Sequence, residues 1–399
     1  MKLKAYPPEW ADHDALRAAV HRWQRRGLLT AEQQAAIHAA HPVAYVRPLL
    51  FLRVGLFIAT WLGVGSVAGS LVAITQFDGG VAPYCLVVLA GALLVLELVI
   101  RNNRHYHSGV DNALLYAALC AWGGLVFYVL YQLAPLALRG DWLLGGPVLW
   151  LGLLLLLAAQ VVALLRYADP VVAVATFGTA LVLLVSVVLT TSLGFLLLPF
   201  AVMAAAAGLH IWLRKLEARP DYFYYRSCLL VLRTLALAVI YLAGNYLVLR
   251  EGQAELLDKY HTGPSAQIPL AWLFYASTAI VPLAYIGLGL RRHDRLLLSL
   301  GVLALAFSLF TLRYYHAVLP PELAATFGGL LLIALTLAAL RYLRTARHGF
   351  TAAADDAHNP HFNLESVITA QTAHVPAAPE AGFQFGGGQS SGGGAEGAF

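Results

Sequence analysis

Long apolar runs alternate with short polar segments along most of this chain. After a polar segment at residues 1–49, runs with few or no charges recur up to residue 340. A helix needs about 20 mostly apolar residues to cross the hydrocarbon core of a membrane. The pattern therefore predicts ten membrane-spanning helices, at 54–77, 82–100, 112–133, 142–165, 170–190, 193–213, 228–249, 269–290, 296–316 and 321–340.

Local signals set several of these boundaries. The run 170–213 is too long for one span, and the polar turn at residues 190–192 before Gly194 predicts a tight hairpin that divides it in two. Asp169 before Pro170 is typical of an N-cap followed by proline in the first turn. Further capping residues expected at helix starts are Asp111, Asp141 and Ser192.

The composition agrees with a membrane protein and excludes an ordinary soluble domain. Of the 399 residues, 60% are hydrophobic and 12% are charged, against about 25% charged in a typical soluble domain. We expect an all-α, polytopic transmembrane helical bundle at residues 50–345. A helical hairpin at 1–49 should precede the bundle and a disordered tail at 346–399 should follow it. The lipid bilayer is the first partner that the sequence predicts.

The positive charges indicate the orientation. Segments on one side of the predicted bundle hold 20 of the 26 Lys and Arg residues, and the other side holds Arg139, Arg250, Lys259 and Arg313. Because cytoplasmic loops retain Lys and Arg, both termini are predicted inside, in a multi-pass protein of the bacterial cytoplasmic (inner) membrane. The basic residues are spread over many loops, which argues against nucleic-acid binding.

The N-terminal segment has the pattern of two short helices. Apolar residues recur at helical spacing over residues 12–27, and Gly27 is expected to end that helix. Thr30 and Gln33 have the spacing of a capping box that opens a second helix. The alternative is an amphipathic helix that lies on the membrane and turns four arginines toward anionic lipid, namely Arg17, Arg22, Arg25 and Arg26.

The C-terminal tail has no sustained periodicity and is predicted to be disordered. It combines glycine runs with isolated aromatic residues, among them Phe383, Phe385 and Phe399. A pure spacer has no need of phenylalanine, so these residues are candidates for docking into an apolar groove of a partner protein. The alternative is an inert low-complexity end.

Two stretches of the chain resemble known bacterial membrane proteins. One is Val20-His21-Arg22-Trp23-Gln24-Arg25-Arg26-Gly27-Leu28-Leu29-Thr30-Ala31-Glu32-Gln33, which resembles the helical hairpin that opens one class of polytopic integral membrane proteins with a domain of unknown function. The other runs from Phe385-Gly386-Gly387-Gly388 to Phe399 and is similar to the Gly-rich tails of TPM-domain membrane proteins, although no TPM domain is visible. Neither resemblance implies an activity, a cofactor or a site residue.

Ionisable side chains inside predicted spans are the candidates for chemistry, because a charge at the centre of a membrane helix costs roughly 2.5–3.5 kcal/mol on insertion scales. Arg53 and Glu97 lie near the same end of the first two spans, which predicts a structural ion pair between them. At the other end, a short turn would return Glu322 toward Arg313. That pair is either a small outer site or, in the simpler interpretation, an ion pair within an interfacial aromatic belt.

Arg233 and Asn245 are the most distinctive candidates. Both lie in the seventh span, about three turns apart, and both are predicted to face the bundle interior. They could line an anion or substrate site near the bilayer midplane. The alternative is that Arg233 reaches toward the interface or binds backbone carbonyls.

No motif predicts catalysis, a cofactor or a metal site. The chain has no Walker, HExxH or GxSxG motif, and His105 and His107 offer only two potential zinc ligands. We therefore expect a non-enzymatic membrane scaffold or partner subunit that binds other proteins through its tail or its N-terminal hairpin. The alternative is a small-solute transporter or channel built around Arg233 and Asn245.

Overall fold

The protein is described here by a computed structural model. It covers residues 4–75, 81–135, 146–217, 219, 222–256, 267–292 and 294–315, with scattered positions between 320 and 341. These residues form twelve helices, and nine of them are long and apolar enough to cross a membrane. The predicted polytopic helical bundle is therefore confirmed. Most of the tenth predicted span, 321–340, and all of the tail at 346–399 lie outside the described residues.

The N-terminal helices are α1 (Pro8–Arg25) and α2 (Ala31–Ala40). A short helix, α10 (Tyr246–Leu256), follows the seventh long one directly. The nine candidate membrane helices are α3 (Leu50–Thr75), α4 (Val81–Asn103), α5 (Val110–Leu133), α6 (Pro147–Tyr167), α7 (Pro170–Leu189), α8 (Gly194–Leu216), α9 (Tyr222–Gly244), α11 (Ala271–Arg292) and α12 (Arg295–Tyr315).

Large apolar side chains point away from the bundle and small ones fill its interior. Phe51 and Ile74 of α3 are 87% and 78% exposed. By contrast, Ala113, Ala173 and Ala236 are each 0% exposed. This arrangement suits a lipid solvent, because hydrocarbon accepts the large apolar side chains and small interior residues let helices approach closely. Exposure of this kind would be unfavourable in water.

Neighbouring helices pack mainly in sequential pairs around one central helix. The closest associations are α4 with α5, α6 with α7, α8 with α9, and α11 with α12. Helix α9 also contacts α1, α7, α10, α11 and α12, so it joins the two halves of the chain. The ends of the long helices that lie beneath α1 are called the hairpin end of the bundle below.

Two of the predicted local signals are confirmed in atomic detail. The Asp169 Oδ1 accepts hydrogen bonds from the backbone N–H groups of Val171 at 2.8 Å and Val172 at 2.9 Å, so Asp169 caps α7. In the capping box of α2, the Gln33 N–H donates to Thr30 Oγ1 at 3.2 Å and the Thr30 N–H donates to Gln33 Oε1 at 3.0 Å.

Two other predicted caps are wrong. The turn between α7 and α8 exists as predicted, but Leu193 rather than Ser192 precedes α8, and no side chain caps that helix. Helix α5 begins at Val110, before the residue expected to cap it. The Asp111 carboxylate instead accepts hydrogen bonds from the backbone of the preceding loop. The third predicted cap, Asp141, lies outside the part of the chain that the structure describes.

The seventh predicted span, 228–249, is not one continuous helix. Helix α9 ends at Gly244 and α10 begins at Tyr246, with Asn245 between them. The Asn245 Oδ1 accepts a hydrogen bond from the Leu247 N–H at 3.0 Å, so this side chain acts as the N-cap of a new helix. The apolar pattern runs through the break because the first four residues of α10 are apolar as well.

Candidate functional site

The structure separates the predicted pair Arg53 and Glu97. The Glu97 Oε1 is 2.6 Å from Nη2 of Arg166, at the end of α6, and its other oxygen is 3.5 Å from Arg101. The Arg53 guanidinium donates instead to the Pro48 carbonyl at 3.3 Å. The predicted ion pair is therefore wrong. Glu97 pairs with a residue of α6 instead, because the packing of the helices decides which neighbour each face of α4 meets.

Arg233 lies between two carboxylates. Its Nη1 is 3.0 Å from Glu217 Oε1, just after the end of α8, and its Nη2 contacts Asp294 Oδ2 at the start of α12. Asp294 also accepts a hydrogen bond from the Leu296 N–H at 3.1 Å, as an N-cap does. These contacts tie three helices together with a net charge of −1. Arg233 therefore has ion-pair partners here, rather than lining an open midplane site.

Asn245 lies in a second cluster, nearer the opposite end of α9. Its side-chain NH₂ donates to Tyr241 Oη at 3.0 Å and to Thr311 Oγ1 at 3.2 Å, and its exposure is 0%. Tyr241 and Ser308 are 2.8 Å apart, and the Thr278 hydroxyl accepts the N–H of the first residue of α10 at 3.0 Å. Hydroxyl groups from α11 and α12 thus surround the helix break.

The structure does not bring Arg233 and Asn245 together. Asn245 directly follows the end of α9, on which Arg233 lies, and the two residues are roughly 18 Å apart along the helix axis at a rise of about 1.5 Å per residue. Arg233 binds carboxylates from α8 and α12, whereas Asn245 binds hydroxyls from α9 and α12. The single polar site predicted from these two residues is therefore replaced by two separate clusters.

The remaining predicted site residues fall wholly or partly in undescribed segments. The Arg313 Nη1 donates to the Pro320 carbonyl at 3.2 Å, but its expected partner Glu322 lies outside the described residues. The same holds for the three tail residues Phe383, Phe385 and Phe399. Those predictions stay predictions.

The most extensive polar cluster was not predicted, and it lies beneath α1 at the hairpin end. Its core is Asp111, which is 1% exposed. The Tyr6 hydroxyl donates to Asp111 Oδ2 at 2.7 Å, and the N–H groups of His107 and Ser108 donate to the same carboxylate at 2.8 Å each. A fourth donor is the Ser108 hydroxyl at 3.0 Å. Four donors on one carboxylate account for a charge that is buried without a direct arginine partner.

A second buried carboxylate, Asp169, adjoins the first. It is 1% exposed, caps α7, and accepts hydrogen bonds from the Tyr116 hydroxyl at 2.9 Å and from the side chain of Asn112. The His107 Nδ1 lies 4.0 Å from Asp169 Oδ2, so the imidazole stands between the two acids. The cluster therefore joins the N-terminal segment, the loop before α5, and the turn between α6 and α7.

Titration in this cluster follows from burial. Burial raises the pKa of Tyr6 well above its ordinary value of 10.0, and the charge of Asp111 acts in the same direction. Burial lowers the pKa of His107 below 6.5, against the opposing effect of the two carboxylates. Tyr6 is thus held as a proton donor, and the neutral form of His107 is favoured near pH 7.

Aromatic rings surround the polar core. The rings of Tyr6 and Tyr106 meet edge to face with centroids 5.1 Å apart, and Trp10 lies 5.8 Å from Tyr106. Tyr45 completes the group at 5.1 Å from Tyr106. Backbone hydrogen bonds add to the attachment, because the Ala5 N–H donates to the Arg166 carbonyl at 2.9 Å. The N-terminal segment is therefore fixed to the bundle by both polar and apolar contacts.

We call the residues Tyr6, His107, Ser108, Asp111 and Asp169 the docking cluster. The sequence indicated Asp111 and Asp169 only as helix caps, and His107 only as one of two potential zinc ligands. The available signal was the aromatic residues at positions 6 and 10, just before and within α1, which an isolated surface helix does not require. Among the described residues, no group of three His, Cys, Asp or Glu side chains is arranged to hold a metal ion.

The principal cavities of the described residues avoid the predicted polar sites. One is a crevice of about 40 Å³ between α8, α10 and α11, with Phe195, Pro199 and Gln253 in its wall. The other, about 360 Å³, is an apolar groove lined by α3, α4 and the start of α5, with Gly63 and Gly91 in its wall. Neither is lined by Arg233 or Asn245.

Comparisons with known proteins give no relative. No protein-family model, no curated protein and no solved structure matches this chain. The resemblances of the hairpin and of the tail therefore stay predictions.

Proposed function

We propose that the protein is a non-enzymatic scaffold or partner subunit of a bacterial cytoplasmic membrane, and that α2 is a docking helix for another protein. The observation that carries this proposal is the contrast between the two helices of the hairpin. Trp10 and Val20 of α1 are 7% and 0% exposed and Tyr6 before it is 3% exposed, whereas α2 has no buried residue.

The exposure of α2 is unusual on physical grounds. A helix of ten residues is marginal in water unless packing or capping supports it. This one has a complete capping box at its start and packs chiefly on α1, which leaves Ala35 and Ala36 exposed. Leu28, in the turn before it, is 66% exposed. A partner that covered this small apolar surface would gain roughly 25 cal/mol per Å² buried.

The proposal is tested by mild-detergent co-purification of the full-length protein. Three variants are compared with the wild type: Ala35→Glu with Ala36→Glu, the size-matched pair Ala35→Gln with Ala36→Gln, and a truncation that lacks residues 376–399. We expect a stoichiometric partner that the acidic pair loses and the neutral pair keeps. Thermal unfolding is measured for each variant as a control that it is folded.

Other outcomes have defined meanings. A partner lost only on truncation would place the docking element in the tail and leave the scaffold proposal standing. Equal binding to all three variants would refute α2 as the docking helix. The absence of any partner for the wild type, in native lipid and in detergent, would count against the scaffold function itself.

A transporter is the second candidate, and the helix break at Asn245 favours it. Discontinuous helices with buried polar groups line substrate sites in several transporter folds. Here the break is surrounded by hydroxyls of Thr278, Ser308 and Thr311. This candidate predicts that Asn245→Ala and Arg233→Ala abolish flux of a solute in proteoliposomes while membrane insertion continues. The scaffold proposal predicts that both substitutions act on stability alone.

A further inference from the structure

The apolar groove of about 360 Å³ follows one face of α3, and α4 and the start of α5 form its other walls. On α3 it is lined by Thr60, Val64, Val67 and Leu71, which recur at helical spacing. Among the described residues, Thr60 alone gives the lining a polar side chain. The volume corresponds to about a dozen methylene groups, if each takes roughly the 30 Å³ of a water molecule. Water would find almost no polar partner there, so the groove suits a hydrocarbon chain.

None of the described helices covers this groove. A Cβ added at Gly63 or at Gly91, on its two long walls, would meet no atom within 4 Å. Val67 is 62% exposed. The most apolar stretch of α3 has 0% of its residues buried, against at least 22% in each of the other eight long helices described. The groove therefore has room for a ligand that the described part of the chain does not supply.

Arg53 lies at the hairpin end of the groove. It precedes Thr60 by seven residues, about two turns, so both residues belong to the same face of α3. Val110, the first residue of α5, lines the groove, and a Cβ added at the preceding Gly109 would lie 3.2 Å from the Arg53 Cγ. The Arg53 guanidinium donates to the carbonyl of Pro48, before the start of α3. It therefore lies toward the membrane surface, at the depth of lipid headgroups.

The Arg53 side chain is short of acceptors. Its Nε is buried without a hydrogen-bond partner among the described residues, and its bond to Pro48 is long, at 3.3 Å. In the described part of the chain, Arg166 and Arg233 have carboxylate partners, and none of the ion pairs includes Arg53. Asp111, two residues beyond Gly109, already accepts four hydrogen bonds from other groups. An anion at this end of the groove would complete the site.

We propose that the groove binds an acyl chain of an anionic phospholipid, and that the phosphate of this lipid pairs with Arg53. The two ends of the site match the two ends of the lipid: the apolar walls suit the chain, and the paired N–H donors of a guanidinium suit a phosphate. The chain gains dispersion contacts with the walls at Gly63 and Gly91. The lipid thereby covers α3, the least buried long helix described. This proposal does not depend on the scaffold function.

The test uses full-length protein in a nonionic detergent, with native mass spectrometry of bound phosphatidylglycerol or phosphatidylcholine of the same acyl chains. We expect the wild type to bind phosphatidylglycerol about tenfold more tightly, because the choline ammonium offsets the phosphate charge. In Arg53→Gln this preference should fall below about twofold, and in Arg53→Lys, which keeps the charge but loses the paired donors, it should be intermediate. The matched control is Arg214→Gln, which removes an exposed charge at the end of α8 and should keep the preference.

A second pair of variants tests the groove itself. Gly63→Leu places a side chain in the groove, whereas Gly65→Leu places the same side chain on α3 at a position that does not line it. A Cβ at either position meets no atom within 4 Å, so both variants should fold, and thermal unfolding checks this. We expect Gly63→Leu to weaken the binding of both lipids by about tenfold or more, and Gly65→Leu to change it by less than about threefold.

Four results would overturn the proposal. A preference for phosphatidylglycerol that survives in Arg53→Gln would place the headgroup elsewhere. Equal binding by Gly63→Leu and Gly65→Leu would show that no acyl chain lies in the groove. Full competition by inorganic phosphate would assign Arg53 to a soluble phosphate compound. A wild-type dimer that becomes a monomer in Gly63→Leu alone would assign the groove to a second copy of the chain.

Discussion

Replacing Tyr6 by Phe should release the N-terminal segment from the bundle without disturbing the bundle itself. The substitution removes only the hydroxyl that donates to Asp111 Oδ2 at 2.7 Å, and both residues are buried, at 3% and 1% exposure. The ring that packs on Tyr106 and Trp10 is retained. Any effect therefore reports the hydrogen bond and not the aromatic packing.

The magnitude follows from the partners of Asp111. Hydrogen bonds to charged groups contribute about 1.5–3 kcal/mol. Three donors from His107 and Ser108 remain on the carboxylate, so its charge stays solvated and the loss is limited to that range. A loss of 1.5–3 kcal/mol corresponds to a roughly 10- to 150-fold increase in the population of the undocked segment.

Hydrogen exchange measured by mass spectrometry detects this opening directly. The Ala5 N–H donates to the Arg166 carbonyl across the interface, so its exchange rate reports docking. We expect exchange at Ala5 and in the first turns of α1 to accelerate roughly 10- to 150-fold in Tyr6→Phe. Exchange in the membrane helices should be unchanged.

Tyr45→Phe is the matched control. Its hydroxyl lies 3.4 Å from Asp14 Oδ1, a long contact to a carboxylate that is already paired with Arg47 at 2.5 Å. We expect less than a threefold change in exchange, or under about 0.6 kcal/mol. If Tyr6→Phe left exchange at Ala5 unchanged, or if the two variants behaved alike, the docking cluster would not be what holds the segment in place.

Three further predictions concern backbone geometry, the helix break and pH. Gly109→Ala should lower the free energy of unfolding by roughly 2–4 kcal/mol, because φ is +99° and an added Cβ would clash with the Arg53 carbonyl oxygen. Gly27→Ala, with φ +70° and open space around it, should lower it by only about 1–2 kcal/mol. Equal Tm losses in the two variants would contradict this reasoning. Asn245→Ala should lower the free energy of unfolding by about 2–3 kcal/mol, because it removes the cap of α10 and a hydrogen bond to the buried Tyr241 hydroxyl. An unchanged Tm would refute this prediction. Burial and Asp14 raise the pKa of Tyr45 to about 12, so docking is unaffected by this group below pH 10 and is progressively destabilised by ionisation of its hydroxyl as pH rises from 10 through 12. The tyrosinate absorbance should lose a component that titrates near pH 12 in Tyr45→Phe, and loss of a component near pH 10 would show that the hydroxyl is not buried.

Much of the fold could be predicted because its determinants are local. Each membrane helix follows from an uninterrupted apolar run, which records only the preference of adjacent residues for hydrocarbon. The capping box of Thr30 and Gln33 and the N-cap at Asp169 involve atoms within three residues of each other. Interactions of this range are encoded in short stretches of sequence, so they do not depend on how the helices are arranged.

The candidate sites were predicted poorly because their partners come from distant parts of the chain. Tyr6 and Asp111 are 105 positions apart, and Arg166 and Glu97 are 69 apart. Sequence spacing gives the depth of a side chain in the membrane, but a rotation of one helix about its axis decides which neighbour it faces. That rotation depends on the packing of the whole bundle.

The sequence by itself determined that the chain is a polytopic helical membrane protein with a capped helical hairpin at its start. The tertiary structure alone decided that Glu97 binds Arg166, that Arg233 is enclosed by Glu217 and Asp294, and that the N-terminal segment docks on Asp111. The physical reason is one of range: apolar runs and caps are fixed by neighbours in sequence, whereas buried polar groups take whichever partner the packed helices bring within about 3 Å.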